Sequence, residues 1–168
     1  MIILGIDPGY AIVGYGIVSY DRGRFVPLDY GAVTTPAGMD MQLRLKAIYD
    51  GISTLIEKYN PDAMSVEQLF FTNNQKTAIA VAEARGVIML AAANYGIEFA
   101  EYTPLQVKQA VVGYGKAEKH QVMEMTRILL NLKSVPKPDD TADALAIAIC
   151  HGHSSEGGTL AALSRNYK

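Results

Sequence analysis

Carboxylates placed where apolar runs end are the residues of this chain best suited to chemistry. Asp7 closes the run Ile2 to Ile6 and precedes Pro8-Gly9, and Glu67 closes a second run, Ala63 to Val66. If those runs are neighbouring strands, both acids project from one end of a sheet, the usual ligand site of open α/β folds. Asp139, Asp140 and Asp143 open a helical stretch near the C-terminus, where spacings of three and of four both put side chains on one helix face. Spacing alone leaves Asp139 and Asp140 equivalent as companions of Asp143. Carboxylates drawn together repel, and without protonation or an arginine they call for a cation. An all-oxygen donor set suits Mg2+ or Mn2+, whereas zinc prefers His or Cys. Two such ions about 4 Å apart would orient a water for in-line attack on a phosphodiester and stabilise the leaving oxygen. Each acid also has an ordinary use, Asp before Pro-Gly as a turn residue and an Asp pair at a helix start as cap and dipole partner.

The elements that must position these acids follow from periodicity. Ile2 to Asp7, Ile12 to Tyr20 and Phe25 to Val33 read as three strands, the last two joined by a hairpin at Asp21-Arg22-Gly23-Arg24. Met41, Leu45, Ile48, Ile52, Leu55, Ile56 and Tyr59 form a helical stripe that opens after Asp40 and stops before Pro61. A fourth strand ends in Glu67, and a second long helix is expected over Asn73 to Asn94, with Thr72, Asn73 and Asn74 as candidate caps. Ile97 to Ala100 is the fifth strand, followed by helices near Pro104 to Val111, Ala117 to Leu130 and Asp139 to His151. The order β-β-β-α-β-α-β and then helices predicts an α/β fold of RNase H-like type. Its mixed five-stranded sheet has three antiparallel strands plus two parallel ones, flanked by helices. The second long helix is apolar around most of its circumference, so it needs two partners, and a two-fold homodimer through residues 73–94 is expected.

Composition narrows the class. At 168 residues, with 49% hydrophobic residues, the chain is the size of one domain with a substantial core. A single domain is expected over 1–157, with a Ser- and Gly-bearing tail over 158–168. The start, MIILGIDPG, lacks the basic residues and cleavage site of a secretory leader, and the apolar stretch Thr77 to Ala93 is broken by Glu83, Arg85 and Gly86. A cytoplasmic protein without a membrane span is expected. A single cysteine, Cys150, excludes a disulfide framework. The Cys150-His151-Gly152-His153 cluster is not read as a metal site, because adjacent helical residues point apart. The net charge of −2 hides an uneven distribution. Between Pro104 and Lys137, Lys108, Lys116, Lys119, Arg127, Lys133 and Lys137 face only Glu118 and Glu124, a segment able to meet phosphates.

Five segments in order resemble one family: GIDPG at Gly5 to Gly9, VEQLF at Val66 to Phe70, EARG at Glu83 to Gly86, QVKQAVVGYGKAEKHQV at Gln106 to Val122 and DTADALAIAICH at Asp140 to His151. Together they are similar to the RuvC Holliday junction resolvases, in register from Met1 to about His153. The resemblance implies that Asp7, Glu67, Asp140 and Asp143 hold Mg2+, or Mn2+ in its place, two ions per site. Its D-x-x-D spacing selects Asp140 over Asp139, which then reads as a cap or bystander. It further implies a homodimer on four-way junction DNA that makes two symmetric nicks in strands of like polarity, leaving 5′-phosphate and 3′-hydroxyl ends, alongside RuvA and RuvB branch-migration proteins. Lys119 would act at the scissile phosphate, and Phe70, Lys76, Lys108, Lys116 and Lys119 would contact DNA, Phe70 by stacking or unstacking a base; Phe71 beside it reads as core. His151 could lie near the acidic face. Three rivals remain at this level. One is a sugar kinase or actin-like ATPase, whose phosphate loop GIDPGYAIVGYG resembles, though such enzymes need two such domains. The second is a related nuclease acting on RNA or another branched substrate, and the third a non-catalytic junction binder.

Overall fold

The computed structural model describes residues 1–68 and 75–156. Strands β1 (Ile2–Asp7), β2 (Ile12–Asp21) and β3 (Arg24–Thr34) form an antiparallel meander, and β4 (Ala63–Glu67) and β5 (Glu98–Tyr102) extend the sheet in parallel on the other side of β1. The spatial order β3-β2-β1-β4-β5 is the RNase H-like arrangement expected from the element order. The β2–β3 hairpin turns on Arg22 and Gly23, both at positive φ (46° and 79°), as a two-residue turn matching the strand twist requires.

Helices cover both faces. On one lie α1 (Met41–Tyr59) and α2 (Gln75–Asn94), whose Ile48, Ile52, Ala84 and Ile88 pack with Leu4, Ile6, Ile17, Met64 and Val66 of the sheet. On the other lies α5 (Asp139–Glu156), in one core with Ile3 and Val18 and backed by Val107 of α3 (Pro104–Val112) and Val122 of α4 (Lys119–Leu129). The side-chain period of two in β1 explains the split. Ile3 packs toward α5 while Leu4 and Ile6 pack toward α1 and α2, so Asp7, in phase with Ile3, points to the α5 side.

Two helix boundaries differ by more than a residue from the sequence expectation. The last helix does not close at His151 but runs on to Glu156. Gly152 is inside it and marks close packing, because a Cβ there would strike the Phe25 and Tyr20 rings. The helix at 117–130 begins later, at Lys119, after Glu118 N–H has donated to Gln121 Oε1 at 2.8 Å. The second long helix is described from Gln75; the candidate caps Thr72, Asn73 and Asn74, with Phe70, Phe71 and residues 158–168, lie outside the described residues.

By length and composition alone, helix α2 is long and apolar enough to cross a membrane. Even so, Ala84, Ile88, Ala91 and Ala92 are buried in the core shared with α1 and the sheet, and Arg85 pairs with Glu101 of β5. Its other side leaves Ile79 65% and Leu90 52% exposed, together with Ala82, Gly86, Met89 and Ala93.

Candidate active site

The parallel pairing of β1 with β4 sets Asp7 and Glu67 at the same end of the sheet. Both face α5. In β4, Met64 and Val66 belong to the opposite core, whereas the Ser65 hydroxyl donates to Ile147 O of α5 at 3.4 Å, and Glu67 follows Ser65 in phase. Asp140 and Asp143 come from the first turns of α5, which is tied to the sheet where Thr141 Oγ1 donates to Gly31 O of β3 at 3.0 Å.

Glycines let α5 lie directly on the strands. Gly14 of β2 pairs with Asp7 in the register, and a Cβ at Gly14 would overlap the Asp140 backbone carbonyl. One residue thus sets the distance between the strand carrying Asp7 and the turn carrying Asp140. The segment after Asp7 is held from below by Arg44, a buried cation of α1. Arg44 donates to Thr35 Oγ1 at 2.6 Å and Pro36 O at 2.6 Å, and Thr35 Oγ1 in turn donates to Tyr10 O at 2.8 Å. Neither role is marked in the sequence, since each depends on contacts between residues distant in the chain.

The electrostatics are those of crowded carboxylates. Burial pushes the Asp7 carboxyl up from 3.8 to about 8, and the charges of Glu67, Asp143 and Asp140 add to this, while Lys119 opposes it. Glu67 is raised by burial first and then by Asp143. Asp143 is raised by burial against the counter-pull of Lys119, whose Nζ lies 2.9 Å from Asp143 Oδ2. Among the described residues no three acidic, imidazole or thiol groups already form a closed coordination cage; one of the four acids is instead held by an ammonium. The donors fit a hard divalent ion all the same. They are oxygens only and half-buried, and burial and mutual repulsion raise the carboxyls of Asp7, Glu67 and Asp143, an effect that a cation would relieve.

Lys119 and Asp143 border a cleft of about 260 Å3 with Glu67 and Lys108 at its polar rim and Pro104, Val107, Val122, Ala146 and Ile147 along its wall. Lys108 is carried on α3, started by a capping box in which Thr103 Oγ1 accepts from Gln106 N at 3.2 Å. Lys116 is exposed in the α3–α4 connection, and among the described residues no ion pair engages it or Lys108. Lys76 sits in the first turn of α2. Phe70 cannot be placed against the site, being outside the described residues.

Two further residues have partners that the sequence did not mark. Asp139, read as a cap or bystander, accepts from Lys137 Nζ at 2.7 Å and stands 3.8 Å from Lys119 Nζ. His151 Nδ1 bonds the Tyr102 hydroxyl at 2.9 Å, and burial lowers the His151 pKa. Its neighbours also have other partners. His153 Nδ1 lies 3.1 Å from Ala110 O, and the Cys150 thiol is buried, its pKa pushed up to about 12.

Residues 3–151 match the family model described as crossover junction endodeoxyribonuclease RuvC. A protein of that name from Clostridioides difficile (strain 630) is 62% identical over 156 residues, 93% of this chain and 92% of its own length. Among solved structures, Thermus thermophilus RuvC superposes with a TM-score of 0.88 at 34% identity, over 95% of this chain and 98% of that one. The same Thermus protein in complex with a Holliday junction substrate superposes with a TM-score of 0.87 at 32% identity, over the same shares of the two chains. Matched along almost its whole length in sequence and in fold, the chain belongs to the RuvC family of crossover junction endodeoxyribonucleases.

Proposed function

We propose that this protein is a structure-selective endodeoxyribonuclease. It resolves Holliday junctions by two symmetric, metal-dependent nicks in strands of like polarity, leaving 5′-phosphate and 3′-hydroxyl ends, in cytoplasmic recombination and repair. The observation that carries the reading is the meeting of Asp7, Glu67 and Asp143 at one sheet end with Asp140 beside them and the Lys119 ammonium on Asp143, in a chain of this family. The working unit is residues 1–157.

Asp7, Glu67, Asp140 and Asp143 would hold the cations, Mg2+ or Mn2+, with two per site matching the number of carboxylates. Bound there, a divalent ion supplies charge neutralisation at the phosphate and activation of water. The protein's own groups do the rest. Burial disfavours the charged forms of Asp7, Glu67 and Asp143, which a bound cation would offset, and Gly14 and Thr141 hold the Asp140 turn against the strands. Lys119 offers its ammonium to a non-bridging phosphate oxygen, where charge develops in the reaction. Lys108, Lys116 and Lys76 would neutralise backbone phosphates, and Phe70 would meet a base near the crossover.

Two symmetric nicks need two sites related by a two-fold axis. The exposed apolar stripe of α2 (Ile79, Ala82, Met89, Leu90) is suited to an isologous contact, since the same patch on a second copy would cover it. Branch-migration proteins of the RuvA and RuvB type would deliver the junction. The test is cleavage with Mg2+ of a synthetic four-way junction, a linear duplex and an RNA–DNA hybrid, all of matched sequence. Paired nicks in the junction alone are expected; preferential cutting of the hybrid would replace this reading with that of an RNA-directed nuclease of the same fold.

A further inference from the structure

Lys119 occupies an awkward position for a cation. It is the first residue of α4, where the aligned peptide dipoles present their positive end. What holds it is not its own helix but two carboxylates of α5, Asp143 at 2.9 Å and Asp139 at 3.8 Å. These two acids stand one turn apart on the same face, and only Asp143 belongs to the set assigned to metal. Asp139 divides its oxygens: Oδ1 accepts from Lys137 Nζ at 2.7 Å while Oδ2 faces Lys119.

Asp143 cannot serve an ammonium and a divalent ion equally. When a cation takes Asp143, Lys119 is repelled by the new charge and loses its shortest bond. We propose that Asp139 is a positioning residue, the carboxylate onto which Lys119 moves at that moment, keeping the ammonium at the site instead of releasing it to solvent. An ammonium has three donors, so one bond to Asp139 leaves others for a phosphate oxygen. Lys137 secures the second oxygen of Asp139, which fixes the carboxylate in place and discourages it from drawing the metal away. The proposal rests on the reading that Asp143 holds a cation.

The experiment is calorimetric titration of the DNA-free, full-length protein with Mn2+, for wild type, Asp139→Ala, Asp139→Glu, Lys119→Ala and the double variant Asp139→Ala/Lys119→Ala. Single-turnover cleavage of a junction runs beside it. Without Asp139 the lysine has no second seat and clings to Asp143, so Mn2+ binding weakens about fivefold, the scale of a partly exposed ion pair. The cleavage rate at saturating Mn2+ falls while junction affinity holds, and Asp139→Glu restores most of both. In the Lys119→Ala background, Asp139→Ala changes Mn2+ affinity by less than about twofold, since the lysine it serves is gone. An undiminished effect in that background would show Asp139 acting as a plain negative charge and overturn the proposal, as would an Asp139→Ala variant indistinguishable from wild type. Wild-type protein that takes up no Mn2+ would overturn the metal reading and this proposal with it.

Discussion

Helices α2 and α5 are alike in sequence and opposite in fate. Each is apolar around most of its circumference, and each lies on one face of the same sheet. Helix α5 finds both its partners within the chain, the strands below and α3 and α4 above, so that Ala144 through Gly152 are all buried. Among the described residues helix α2 packs only on the side of α1 and the sheet, and Ile79 and Leu90 stay more than half exposed. An all-round apolar helix therefore says that two partners exist without saying whether the second is the same molecule. The difference also divides labour. The face with the filled core carries the acids, where fixed distances matter, and the bare stripe is the surface proposed for assembly.

The sharpest way to break that division is to disturb the seat of α5. Gly14→Ala should push the Asp140 turn off β2 and lower junction cleavage on the order of a hundredfold, the scale of a misplacement of about 1 Å. Raised Mn2+ should recover part of the loss. Gly16→Ala, whose Cβ would meet the Leu145 side chain, should lower Tm and leave the Mn2+ requirement unchanged. On the other face, Ala82→Arg should yield monomers by sedimentation, weakening self-association on the order of a hundredfold through a buried, unpaired charge. Ala84 is fully buried in the chain's own core, so Ala84→Arg should unfold the protein instead. Dimers that survive Ala82→Arg would remove α2 from the interface.

A smaller effect follows from Asp7. Its carboxyl titrates at 3.8 ordinarily and near 8 in the folded, metal-free protein, so between those values the native state holds a proton that the unfolded chain has released. Stability from this group is full below the lower value and is lost as pH rises through the higher one. The Tm advantage of metal-free Asp7→Asn over wild type should grow from pH 4 to pH 8, and Mn2+ binding at pH 7 should release about one proton per protomer, read as a buffer-dependent enthalpy.

The sheet was legible because short apolar runs and the Arg22-Gly23 hairpin carry the information locally, and Asp7 and Glu67 were legible because each ends such a run. Asp140 was not separable from Asp139 by spacing, since both share a helix face with Asp143. The family pattern chose Asp140, while the tertiary contact of Asp139 with Lys119 was invisible to both. Gly14 and Arg44 were missed for the same reason: their partners, Asp140 and the Thr35–Tyr10 pair, are remote in sequence or hidden in a loop. His151 was placed only by counting helical turns from Asp143, which does not reveal its partner on β5, Tyr102.

The most direct measurement is cleavage of a synthetic four-way junction in Mg2+ by wild type and Asp7→Asn, with junction binding followed in parallel. Removing this one carboxylate should lower nicking by at least the order of a thousandfold and leave binding intact, because the lysines of α3 and α4 remain. Equal nicking by the two proteins, or none by wild type, would contradict a metal-holding role for the acids at the end of β1 and β4.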